Sequence, residues 1–246
     1  MVLTEIDILS GIFSITSIII FTFLGLIIIS KYFQHRRRDL LLFGITVAGL
    51  ITPLYGSALS FLTALFTGQG LSVELYLFIS LAPNPIILIC FATAVTDLLY
   101  KEKQKVIQLI VTIYAIIIEI LLIYFLINEP SMIGVLVGIT DAEYGIIARY
   151  YLISVLAFLV IAGTLFARES LKSDRAEIKL KGKLLLPAFY LFAFSAIADA
   201  AIKLNTITLP LIRILVIISG ILFYMGFILP ESIKNFFLKE KKKTNN

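Results

Sequence analysis

Seven apolar runs, at roughly 8–30, 40–66, 75–100, 106–127, 145–166, 184–202 and 209–229, occupy most of this chain and constrain what it can fold into. Each is close to the length of about 20 residues that an α-helix needs to cross the hydrocarbon core of a bilayer. The connections between them are too short to hold a soluble domain. Hydrophobic residues make up 60% of the sequence and its mean hydropathy is +1.03, whereas a soluble domain is about 45–50% apolar. The chain therefore reads as an all-α polytopic membrane protein, with a seven-transmembrane-helix bundle over 1–234 and a basic cytoplasmic tail at 235–246. Its opening, MVLTEID, lacks the basic segment and small-residue cleavage site of a signal peptide, so the first span is expected to remain as a helix.

Orientation follows from lysine and arginine, which are enriched in cytoplasmic loops close to the spans. Taking the connections alternately, one side holds 18 of the 21 basic residues and the other only Arg149, Lys203 and Arg213. The acids divide evenly, so the two sides carry +10 and −5, which sum to the formal +5. This places the amino terminus outside and the carboxyl terminus inside, in a multi-pass arrangement expected in the cell membrane. The basic inner face has anionic lipid headgroups as possible partners. Its charges sit where topology puts them, and no nucleic-acid partner is expected.

The third span carries SLAPNPIILIC at 80–90. Each proline removes a helix hydrogen bond and presses on the carbonyl four residues earlier, so Pro83 and Pro85 disturb the carbonyls of Ile79 and Leu81. Asn84, preceding Pro85, is biased away from helical dihedrals. Irregular backbone at membrane depth must be covered by protein or line a cavity, so this helix is expected to be central. Asn84 then either serves packing or faces a ligand. In the second span, Gly49, Pro53, Gly56, Ser57 and Ser60 form a face of small residues, read as close packing or as a cavity wall. The third and seventh spans close on LLYKEK and FFLKEK, which admits a 3+1+3 repeat of helices.

Ionisable residues inside spans are expensive and need partners. Glu119 in the fourth span, Arg149 in the fifth, Asp199 in the sixth and Arg213 in the seventh fall at comparable depths in the outer half. With Tyr114, Tyr150, Tyr151 and Tyr190 they suggest an outward-opening polar pocket. There, Arg213 and Arg149 would hold an anionic group, and Glu119 or Asp199 a cationic one. The alternative is a set of internal ion pairs, Asp199 with Arg213 and Glu119 with Arg149, while Lys203 can pair with Asp199 along its helix. The ligand-binding candidates are thus Asn84, Glu119, Arg149, Asp199 and Arg213. One His and one Cys, His35 and Cys90, assemble neither a paired-histidine haem site nor a Cys/His zinc site, and no metal or other cofactor is expected. The 128–145 connection is expected to form a hairpin or a helix over the bundle mouth, and 167–183 to continue a helix into water.

Seven spans with an outer amino terminus resemble microbial opsins, and DAAIK at 199–203 repeats the spacing of their retinal-bearing helix. The lysine here ends the sixth span and the seventh has none, so a retinal Schiff base is not expected. The segment LFYMGFILPESIKNFF resembles the exit of the last helix in microbial seven-transmembrane sensor regions found in front of histidine kinases. The resemblance implies a sensor whose output passes through a cytoplasmic signalling partner. No Ser/Lys dyad, metal-binding acid pair or phosphate-cradling glycine loop is present, so no enzymatic chemistry is expected. The functions to weigh are a receptor-like sensor of a small extracellular ligand, a small-solute or ion transporter using Asn84 and Glu119, and a membrane scaffold or assembly subunit.

Overall fold

A computed structural model describes residues 3–202 and 204–243. The first span is α1 (Glu5–His35). The second is divided into α2 (Arg38–Gly49) and α3 (Tyr55–Thr67), and the third into α4 (Val73–Leu81) and α5 (Asn84–Leu99). The remaining spans are α6 (Gln104–Asn128), α7 (Ile146–Lys172), α8 (Ala176–Ala201) and α9 (Thr208–Ile228), followed by α10 (Glu231–Lys243). Among the described residues, seven helical segments are long and apolar enough to cross a membrane, in the order the sequence predicts. Large apolar side chains such as Ile19, Phe23, Ile116, Ile161 and Ile197 are exposed around the rim, as suits a multi-pass membrane protein.

The helices close into a ring that follows chain order. α1 packs on α2, α2 on α5, α5 on α6, α7 on α8 and α8 on α9, which returns to α1. α5 also reaches across to α7, so the third span is central, as its prolines require. The fourth span is peripheral, lying mainly against α5 and barely against α7. Helices α1 and α2 touch backbone to backbone, since a Cβ at Gly25 would stand 2.6 Å from the Gly44 carbonyl oxygen. The small-residue face of the second span serves packing. Ser57 bonds to Ser10 and Ser14 of α1, and a Cβ at Gly56 would stand 2.8 Å from the Tyr76 carbonyl oxygen.

Two spans are interrupted, where the sequence led us to expect one. The third breaks at Ala82–Pro83, and the second breaks at a single 3-10 turn, Thr52–Leu54, that contains Pro53. The seventh span runs unbroken over Thr208–Ile228, so it does not repeat the third. The loop between α6 and α7 forms the hairpin allowed by the sequence, β1 (Gly134–Leu136) against β2 (Ala142–Tyr144), with Gly134 opposite Tyr144 and Leu136 opposite Ala142. Its tip turns on Gly138 at φ +83°, a conformation that side-chain-bearing residues rarely adopt. The 167–183 connection extends both flanking helices, leaving only 173–175 between them. Up to Lys243, the basic tail belongs to α10, whose Ile233 and Leu238 pack against Leu180, Leu184 and Leu229.

The interior has two zones. Toward the end where the charged loops cluster, here called the basic end, it is an aromatic slab. Phe43 lies 4.6 Å from Phe227 between ring centroids, and Phe189 lies 4.9 Å from Phe223. Toward the hairpin end it is polar, with Ser10, Ser14, Ser17, Ser57, Ser60 and Ser80 all buried.

Candidate functional site at the hairpin end

The hairpin is fastened into the mouth of the ring by a carboxylate. Thr4 caps α1 and Asp7 completes a capping box, with Thr4 N and Thr4 Oγ1 donating to Asp7 Oδ2 at 3.0 and 2.5 Å. The other oxygen, Asp7 Oδ1, accepts from Ile139 N at 3.1 Å, Thr140 N at 3.3 Å and Thr140 Oγ1 at 3.1 Å. A carboxylate that is 4% exposed is thereby satisfied without a paired cation among the described residues. The tip is also held from two other sides. Ser60 Oγ donates to the Ile139 carbonyl at 2.5 Å and Tyr76 Oη donates to the Thr140 carbonyl at 3.2 Å.

Beneath the hairpin lies the ion pair of the sixth and seventh spans. Arg213 Nη2 stands 3.2 Å from Asp199 Oδ1. The contact is one of charge rather than aligned hydrogen bonding, because neither Asp199 Oδ1 nor Arg213 Nε has a hydrogen-bond partner among the described residues. Tyr76, Tyr144 and Asp141 lie within electrostatic reach of both charges. Burial pushes the Tyr144 phenol above its ordinary value, so it stays a neutral hydroxyl. The site therefore presents an arginine with unspent donors, an acid that only partly engages it, and neutral phenols.

The other candidates lie elsewhere. Asn84 is buried at the third-span break, where its Nδ2 donates to the carbonyls of Ser80 and Leu81 at 3.0 and 3.2 Å. Its Oδ1 accepts from Thr52 Oγ1 at 2.7 Å. The amide thus repairs the backbone that the prolines disturb and joins the two breaks, leaving no free N–H for a ligand. Arg149 is exposed and donates from Nη2 to the Tyr144 carbonyl at 3.1 Å, supporting the hairpin rather than pairing with Glu119. Lys203 falls outside the described residues. Tyr150 and Tyr190 face outward, while Tyr114 is hydrogen-bonded to Ser154.

Glu119 corrects the expectation of a single pocket. Its helix face is the buried one, shared with Ala115, Leu122 and Leu126, but that face meets the third span and not Arg213. The carboxyl lines a side cleft of about 220 Å3 with Pro85, Ile86 and Ile116, and Oε2 has no partner among the described residues. Tyr151, whose buried hydroxyl is equally unpartnered among the described residues, is a polar group within electrostatic reach. Since no cation among the described residues depends on Glu119, Glu119→Leu is expected to leave stability unchanged or raise it by about 1 kcal/mol. Thermal unfolding in detergent micelles measures this, and a loss would mean that the carboxyl has a structural partner.

The pair under the hairpin is the site on which any assignment rests. No family model, curated protein or solved structure matches the chain. The geometry alone therefore carries the functional reading. Sequence reasoning passed over Asp7, Tyr76, Tyr144 and the buried serines of α1. One signal for them was present: Ser10, Ser14 and Ser17 are four and three residues apart in a run of Ile and Phe, which lines them up on one helix face.

Proposed function

We propose that the protein is a receptor-like sensor of the cell membrane, its amino terminus outside, that holds a small anionic ligand beneath the hairpin and signals through a partner at its basic end. The observation that carries this reading is Arg213, a buried guanidinium whose Nε is unpartnered among the described residues and which meets Asp199 by charge alone. A planar fork with free donors recognises a carboxylate or similar anion with two parallel hydrogen bonds. The route to the other end is α9 itself. Arg213 and Phe227 share this unbroken helix about 20 Å apart, and Phe223 and Phe227 anchor the aromatic slab just before Leu229 turns the chain into α10.

The test is a titration of the purified protein in micelles with a panel of small carboxylates and amino acids. At least one member is expected to raise the unfolding temperature in proportion to the logarithm of its excess concentration. Arg213→Lys keeps the charge opposite Asp199 but loses the fork, so this variant should lose the rise. A panel without effect, or a rise unchanged in Arg213→Lys, rejects the reading.

A second reading, a small-solute transporter, draws on the breaks of the second and third spans, which lie side by side and are joined by Thr52 and Asn84. Interrupted helices mark the binding sites of many transporters. Uptake of a panel member into proteoliposomes, abolished in Asn84→Ala, would favour it.

A further inference from the structure

At the basic end, the ends of α1, α2, α8, α9 and α10 close around a cleft of about 450 Å3. Lys31 and His35 enter it from one face of α1, Arg37 from the turn before α2, Lys181 from α8 and Glu231 from the start of α10. Lys181 is half-buried, and its Nζ donates to the carbonyl of Phe227 at 2.8 Å, capping the last turn of α9 where the helix dipole is negative. That bond uses one of its three donors. Arg37 lies within electrostatic reach of Lys181 although the two have the same sign. It spends Nε and one Nη on Asp39, at 3.2 and 2.7 Å, so among the described residues part of its fork also stays free.

Among the described residues, three fixed cations thus line the cleft against one lining carboxylate, Glu231, with Asp39 offsetting Arg37 from behind and without counting His35. The topological rule accounts for how many basic residues lie at this end. It does not account for their convergence on one concave surface, where like charges repel and a bound anion relieves the repulsion. The opposite wall is apolar, made by Leu40, Phe227, Ile228 and Leu229, at the level where α1, α8 and α9 leave their apolar segments. A cleft half basic and half apolar at that depth suits an amphiphile.

We propose that this cleft binds the phosphate of an anionic membrane lipid, with Lys31, Arg37 and Lys181 around the phosphate and the glycerol end against Leu40 and Ile228. The proposal is independent of the receptor reading and needs only that the bundle sits in a bilayer. A headgroup bound there would tie the ends of α1, α2 and α8 to the turn that leads into α10.

Native mass spectrometry from phosphatidylcholine micelles doped with phosphatidylglycerol tests it. The wild type is expected to retain phosphatidylglycerol in preference to phosphatidylcholine. Lys31→Gln and Lys181→Gln should each weaken that retention about tenfold, the loss of one charge-assisted hydrogen bond. Lys183→Gln, exposed on the same helix and outside the cleft, should match the wild type. Among the described residues Lys31 bonds only to exposed Gln34, so Lys31→Gln decides the matter if the loss of the α9 cap keeps Lys181→Gln from folding. Equal retention of the two lipids, or an equal loss in Lys183→Gln, overturns the site. Displacement of phosphatidylglycerol by equimolar inorganic phosphate would assign the cleft to free phosphate and overturn the lipid.

Discussion

Asp7→Ala is expected to cost about 2–4 kcal/mol and to free the tip of the hairpin. The substitution removes the acceptor of Thr4 N, Ile139 N, Thr140 N and Thr140 Oγ1 in one step. A buried donor left without a partner costs about 1–3 kcal/mol, and water entering the mouth recovers part of that. Asp7→Asn keeps an acceptor for the hairpin but loses the charge, so its cost should be smaller. The readout is hydrogen exchange at the Ile139 and Thr140 amides, which should lose protection in Asp7→Ala while amides of the aromatic slab keep theirs. Unchanged protection at those two amides would mean that the carboxylate does not hold the hairpin.

The second large effect is an asymmetry within the Asp199–Arg213 pair. Removing one member of a buried ion pair strands the other, and the damage depends on how well water can reach the survivor. The side chain of Arg213 is 5% exposed and that of Asp199 is 25% exposed. Asp199→Leu therefore strands the deeper charge, one that cannot shed its proton, and should cost about 3–5 kcal/mol. Arg213→Leu strands the more accessible one and should cost about 2–3 kcal/mol after allowing for screening. The double variant replaces both by apolar groups and should recover most of the loss, giving a coupling energy of opposite sign to the single costs. Thermal unfolding of the four proteins measures the cycle. Additive losses would show that the two charges do not interact.

Much of the architecture was legible because hydrocarbon leaves few choices. Residues 40–66, read as one span, correspond to Arg38–Thr67, and 209–229 to Thr208–Ile228. The break after Leu81 was legible too, since Pro83 and Pro85 together remove two helix bonds. A single proline is ambiguous. Pro187 stays inside α8, whereas Pro53 sits in a turn that ends one helix and begins another.

The site was only partly readable, for reasons of geometry. Asp199 and Arg213 could be paired because opposite charges at similar depths in neighbouring helices have to meet. Depth along a helix says nothing of direction around it, so Glu119, grouped with Arg149, Asp199 and Arg213 by depth, faces the third span instead. Arg149 illustrates reach: a long side chain near a span end can turn back to a loop carbonyl, here that of Tyr144. The hold of Asp7 on the hairpin was hidden because two of its donors there are backbone N–H groups more than 130 positions away, and backbone donors leave no residue pattern.

The polar fastenings have a mechanical consequence. Ser60 and Tyr76 tie the hairpin to the hairpin-end halves of the second and third spans, and these halves join the rest of their spans at the Thr52–Asn84 seam. Hairpin, α3 and α4 therefore make a cap seated on a pedestal of aromatic rings, with the seam crossing the bundle transversely. The other five spans run past this seam without interruption and act as rails. Displacing the cap then needs release of the Asp7 bonds to the hairpin tip and dihedral changes near Ile51–Leu54, Ala82–Pro83 and the hairpin's joins to α6 and α7, so the bundle can rearrange one end without tilting whole helices.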